Sequence, residues 1–196
     1  MIMNSTTLYR DLTDLAHHSP DWLRTLAGLG TEGGLLLLMA MAVPVWWRAR
    51  SHTARSVALA VLVPISSAVA YLLSELVKSL VDEERPCRAV AGAAASIAPC
   101  PPGGDWSFPS NHSTIAAALA VGLALACRAT LLLALPVALL TGLSRVFVGV
   151  HYPHDVLAGL TLGAAVAALC PAILGRPTTD LVIRMRAGRW RALVVA

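Results

Sequence analysis

Residues 144–155 read SRVFVGVHYPHD and join two apolar stretches, 130–148 and 155–175. Each stretch is close to the roughly 20 apolar residues that a helix needs to cross a bilayer. A serine, an arginine, two histidines and an aspartate therefore sit at the border between two candidate membrane helices. Ionisable groups are expensive there and default to a functional role. Working outward towards the N-terminus, two further clusters have the same character. Pro109-Ser110-Asn111-His112 precedes one apolar run, and Lys78, the only lysine, ends another seven residues before Arg85-Pro86.

Composition agrees with a membrane reading. The chain is 57% hydrophobic and 13% charged, with mean hydropathy +0.69, whereas a soluble domain carries about 25% charged residues. A net charge of +4 does not indicate nucleic acid, because the arginines lie in loops between apolar segments. Five spans are predicted, at 28–47, 56–80, 112–128, 130–148 and 155–175. The expected fold is an all-α polytopic membrane helix bundle of about five transmembrane helices plus an amphipathic N-terminal helix. Spans three and four meet at Arg128 as a tight hairpin. Pro44, Pro64 and Pro136 fall inside spans, where neighbouring helices tolerate kinks.

Residues 1–27 lack a basic start followed by an apolar run, so no cleavable signal is expected. Leu8, Leu12 and Leu15 share one helical face, and Trp22, Leu23 and Leu26 continue after Pro20. That pattern suits a helix lying on the membrane surface, with a loop as the alternative. The chain thus divides into an N-terminal segment 1–27, a membrane domain 28–175 and a basic tail 176–196. In a five-span arrangement, Arg48, Arg50, Arg55 and Arg128 share one side with the five arginines of the tail. The bias of Lys and Arg towards the cytoplasm puts that side inside and all three clusters outside.

A phosphate chemistry follows from the residue types. Lys78 offers a mobile point charge and Arg85 a planar fork for phosphoryl oxygens. Taken alone, Lys78 is equally a lysine snorkelling to the interface. Ser110 is placed to cap the next helix, whose free N–H groups and positive end suit a phosphate. His112, one turn in, can protonate a leaving oxygen, or it is an ordinary interfacial histidine. Arg145 adds a third cation. Asp155 lies four residues after His151, close enough to accept its Nδ1–H and fix the tautomer for attack; alone, the pair is equally a capping network. Glu75, three residues before Lys78, reads as its ion-pair partner or as a group that orients Arg145. Cys87 and Cys100 sit in a Gly-, Ala- and Pro-rich loop. A disulfide between them would close about 14 residues and contribute about 3 kcal/mol; two free thiols are the alternative. The Gly159…Gly163 spacing marks a helix-packing notch, within the chain or between copies.

Together the clusters resemble the three signature motifs of the membrane type-2 phosphatidic-acid phosphatase superfamily. The family pattern is Lys-x6-Arg-Pro, Pro-Ser-Gly-His and Ser-Arg-x5-His-x3-Asp, and this chain has KSLVDEERP at 78–86, PSNH at 109–112 and SRVFVGVHYPHD at 144–155. The resemblance implies His151 as nucleophile through a phosphohistidine, with Asp155 behind it and His112 as general acid. It implies Lys78, Arg85, Ser110, Asn111 and Arg145 as phosphate ligands, with no metal and no cofactor. Two departures stand out. Asn111 replaces the usual glycine, suiting a left-handed backbone or a contact to substrate. Many bacterial members also have six spans.

The partners implied are a lipid phosphate substrate and membrane lipids, with no nucleic acid. The runs SFPSNHS and RVFVGVHYPHDVLAG look most like bacterial polyprenyl-diphosphate phosphatases. Undecaprenyl or decaprenyl diphosphate is therefore the first expected substrate. Phosphatidylglycerophosphate or phosphatidate is second, and a polyprenyl-phosphoryl-pentose third. An anion or proton transporter is the non-enzymatic alternative, against which no inverted repeat is visible.

Overall fold

The computed structural model describes residues 2–195. Those residues form eight α-helices: α1 (Ile2–His17), α2 (Asp21–Ala49), α3 (Ala54–Val81), α4 (Pro86–Ala89), α5 (Asn111–Ala126), α6 (Leu131–Phe147), α7 (Pro153–Ala187) and α8 (Arg191–Val194). A short 3-10 turn, Arg128–Thr130, makes the tight hairpin between α5 and α6. The protein is all-helical and multi-pass. Helices α2, α3 and α7, and α6 taken with the 3-10 turn before it, are long and apolar enough to span a membrane. Helix α5 has 16 residues, or about 24 Å.

Helix α5 can be short because it is the centre of the bundle, packed against α2, α3, α6 and α7. Its run of alanines, with Ala116, Ala118 and Ala120 nearly inaccessible, lets the neighbouring backbones approach. The Gly159…Gly163 notch faces α5 within the chain. A Cβ on Gly163 would stand 2.9 Å from the Thr114 carbonyl carbon and would overlap its oxygen. Leucines such as Leu36, Leu132 and Leu140 point outward, as lipid-facing side chains must.

Pro20 separates α1 from α2, and 21–27 are the first turns of α2. Helix α7 runs 35 residues to Ala187, so position 175 lies inside a helix. Helix α1 seats Tyr9, Thr13 and Ala16 on the bundle while Leu8 and Leu15 stay exposed.

Chain direction gathers the three clusters at one end. Lys78 is in the last turn of α3, His112 in the first turn of α5, Arg145 in the last turn of α6 and Asp155 in the first turn of α7. The arginines of the α2–α3 turn and the C-terminal tail collect at the other end, where Arg50 donates to the carbonyls of Ala192 and Val195 and Arg186 to that of His52.

Candidate active site

The turn between α6 and α7 builds the first half of the site. Gly149 has φ 84°, a conformation that favours glycine. A Cβ there would also press on Ser96 at 2.9 Å. The Val148 carbonyl accepts from the amides of Ile97 and Ala98, which ties the long loop over the turn. Tyr9 Oη on α1 donates to the Gly149 carbonyl at 2.9 Å. Pro153 then opens α7, and Asp155 Oδ2 accepts from the Tyr152 amide at 2.8 Å.

His151 and Asp155 are buried, at 1% and 0% exposure. His151 Nδ1 lies 3.3 Å from Asp155 Oδ2 and 3.4 Å from Ser107 Oγ, and Ser107 donates to Asp155 Oδ2 at 2.5 Å. His151 Nε2 lies 3.1 Å from Arg85 Nη1. A guanidinium only donates, so Nε2 accepts and the proton sits on Nδ1. The Nε2 lone pair therefore points at the Arg85 guanidinium. Burial pushes the His151 pKa down to about 4, outweighing the opposing pull of Asp155, so the ring is neutral at pH 7.

The cations converge beside that nitrogen. Arg85 donates from Nη1 to the Val150 carbonyl at 3.1 Å, from Nε to the Asp105 carbonyl at 2.8 Å and from Nη2 to Asp105 Oδ1 at 2.9 Å. Lys78 Nζ lies 3.4 Å from the same Asp105 oxygen and 3.8 Å from Glu75 Oε1. Arg145 is 8% exposed, and among the described residues its buried Nε has no acceptor. Burial raises the Asp105 pKa, but hydrogen bonds and charge from Arg85 and Lys78 outweigh it and hold the carboxyl below its ordinary value.

The other half is more open. His112 Nε2 meets Glu32 Oε1 of α2 at 2.7 Å. Ser110 is the N-cap of α5, and its hydroxyl accepts from the Ser113 amide and hydroxyl. Asn111 begins the helix with ordinary helical backbone, and among the described non-glycine residues only Asp82 has positive φ. The left-handed explanation for asparagine therefore falls. Its side chain instead bridges to α3, accepting from Ser74 at 2.7 Å and donating to Glu75 at 2.5 Å. Glu75 thus pairs with Lys78 and Asn111. Cys87 and Cys100 form a disulfide with Cα atoms 6.1 Å apart.

The sequence reading missed Glu32, Asp105, Ser107 and the pair Glu83–His154. His154 Nε2 is 3.0 Å from Glu83 Oε1 and 3.2 Å from Asp155 Oδ1, while Nδ1 is 2.7 Å from Ser5 Oγ. Glu83, His154 and Asp155 make one group of mixed nitrogen and oxygen donors that a divalent cation could also use. Only the run DWSFPSNH carried a signal, since Asp105 and Ser107 directly precede the second cluster.

A family model described as the PAP2 superfamily matches residues 59–178, more than half of the chain, and the protein belongs to that superfamily. Among individual relatives, decaprenylphosphoryl-5-phosphoribose phosphatase of Mycobacterium tuberculosis is 40% identical over 109 residues, 55% of this chain and 56% of that protein. The chain thus spans little more than half the length of that relative. Undecaprenyl-diphosphatase BcrC of Bacillus subtilis is 28% identical over 180 residues, 91% of this chain and 89% of its own length. In fold, the crystal structure of Aquifex aeolicus LpxE superposes with TM-score 0.67 at 18% identity, covering 85% of this chain and 93% of that one.

Proposed function

We propose that the protein is a metal-independent lipid phosphatase that hydrolyses a polyprenyl diphosphate at the outer face of the cytoplasmic membrane. The observation that carries this reading is the orientation of His151, with Nδ1 on Asp155 and the Nε2 lone pair turned to Arg85. The Nε2 atom attacks the terminal phosphorus; an N–P bond forms as the P–O bond to the leaving group breaks. Lys78, Arg85 and Arg145 hold the phosphoryl oxygens together with Ser110 and Asn111 at the start of α5. His112 gives its proton to the leaving oxygen, then takes one from the water that cleaves the N–P bond.

A lipid substrate suits the surroundings. An apolar groove of about 490 Å³ lies between α1, α2 and α6, lined by Leu12, Leu26, Gly30, Leu140, Leu143 and Ser144. The next residues in sequence are Thr31, which bonds Ser144 at 2.7 Å, and Arg145 of the cation cluster. The relative matched over most of the chain carries an undecaprenyl-diphosphatase name, which ranks that substrate first. The higher identity to the decaprenylphosphoryl-phosphoribose relative favours a second reading, a polyprenyl-phosphoryl-pentose as substrate. The outward orientation rests on the arginines at the far end of the bundle.

The test is phosphate release by purified protein in detergent with EDTA. The panel is polyprenyl diphosphate, polyprenyl monophosphate, decaprenylphosphoryl-5-phosphoribose, phosphatidylglycerophosphate and phosphatidate, with His151→Ala as control. Strong release from a polyprenyl diphosphate that His151→Ala abolishes is the expected result. Activity that EDTA removes and a divalent cation restores would overturn the metal-free mechanism and turn attention to Glu83, His154 and Asp155. Lipid or anion flux that survives His151→Ala, without hydrolysis, would mean a transporter.

A further inference from the structure

Lys78 and Arg85 are 7% and 4% exposed. Cations so withdrawn from water need an anion close by, whether or not substrate is present. The chain supplies one. Asp105 Oδ1 sits between them, 2.9 Å from Arg85 Nη2 and 3.4 Å from Lys78 Nζ. The first is the distance at which a phosphoryl oxygen would meet the guanidinium, and the second is within ion-pair reach of the ammonium.

We propose that Asp105 is the resident anion of the phosphate site: its carboxylate holds the place of a phosphoryl oxygen between Lys78 and Arg85, and substrate must displace it. Three features make the carboxylate removable while its backbone stays. The side chain is 44% exposed, unlike those of the two cations. The Asp105 carbonyl is held separately by Arg85 Nε at 2.8 Å, and its amide by the Pro102 carbonyl at 3.2 Å. The loop leading to it is stapled by Cys87–Cys100 and tied down where the Ser107 amide meets the Glu83 carbonyl at 2.7 Å. Rotation about the Asp105 Cα–Cβ bond therefore opens the site without unfolding the loop. Lys78 keeps Glu75 at 3.8 Å as a second anion in either state. In the closed state Arg85 also holds the Nε2 lone pair of His151, so the arriving phosphate takes over donors from both residues.

This inference rests on the phosphatase reading, but its test does not need turnover. A purely structural role for Asp105, orienting Arg85, predicts the opposite sign. The experiment measures equilibrium binding of inorganic phosphate by calorimetry to wild type, Asp105→Asn and Asp105→Ala, with melting temperature as the control for folding. The Arg85 Nε bond goes to the backbone, so both variants keep it. The expected result is phosphate bound about tenfold more tightly by each variant, with KM for the lipid falling in parallel. Affinity that is unchanged or weaker in a variant that melts as a folded protein would overturn the proposal, and so would phosphate binding to none of the three. If one variant fails to fold, the other decides. Should wild type bind phosphate but release none from any lipid, the phosphatase reading fails while the affinity change still judges Asp105.

Discussion

The two histidines of the site live in unlike surroundings. His151 is sealed inside the protein with Asp155, Ser107 and Arg85 on three sides. His112 stands at the mouth of the bundle, its side chain 23% exposed, against a Glu32 that is 68% exposed. On the proposed mechanism, the attacking group and its orienting carboxylate are thus fixed by the fold before substrate arrives. The proposed proton donor is the more exposed of the two histidines. On that mechanism, burial is greatest where a nitrogen must be aimed, and access where a lipid phosphate must depart.

The largest effect should come from the sealed side. Asp155→Ala removes the acceptor for Nδ1–H and the carboxylate that caps α7 at Tyr152. Phosphate release should fall by roughly 10³-fold, and the loss of the cap should lower the melting temperature as well. A variant with near-normal kcat would mean that Asp155 serves only the helix end.

On the open side, His112→Ala should cost about 10²-fold or more with a lipid monophosphate such as phosphatidate, whose leaving group is an alkoxide. It should cost far less with 4-nitrophenyl phosphate or a lipid diphosphate, whose leaving groups need no proton. Equal losses on the two kinds of substrate would remove the general-acid role.

The buried ring also sets a pH signature. His151 must be neutral to attack, and its pKa is held near 4. The acid limb of kcat/KM should therefore lie near pH 4 rather than at the ordinary histidine value of about 6.5. The sign for stability is definite. As pH falls through about 6.5 the unfolded chain takes up this proton and the native protein does not, so stability declines until about pH 4 and then levels. His151→Gln should flatten that decline in melting curves across pH 4–7.

The smallest change is expected from Glu32→Gln, which keeps the hydrogen-bonding shape but drops the charge beside His112. Up to about tenfold in kcat, with little change in KM, fits a residue that positions the acid. A larger rise in KM would mean that Glu32 meets substrate.

The contrast also explains what the sequence disclosed. The sealed half was legible because its parts are local. His151 and Asp155 are four residues apart at the start of one helix, and a proline marks that start. The cations were legible because lysine and arginine are conspicuous at the ends of apolar runs. Glu32 and Asp105 were not, because packing rather than spacing brings them in. Glu32 reaches His112 across 80 positions of chain, and Asp105 sits in a glycine- and proline-rich loop whose path no periodicity predicts. At position 111 only the backbone alternative falls. Asparagine keeps ordinary helical backbone there, and its side chain bridges to Ser74 and Glu75 of the neighbouring helix.

Helix α7 has a mechanical consequence. It is about 52 Å long, and its N-terminal half is wedged against α5 through Gly159 and Gly163. Beyond that wedge come Pro171 and Pro177, each lacking the N–H that would bond the carbonyl four residues back. The helix is therefore a stiff beam joined to a compliant one. A pull or tilt applied at the basic C-terminal end bends the beam at its proline joints before it reaches Asp155, so the catalytic end is insulated from load.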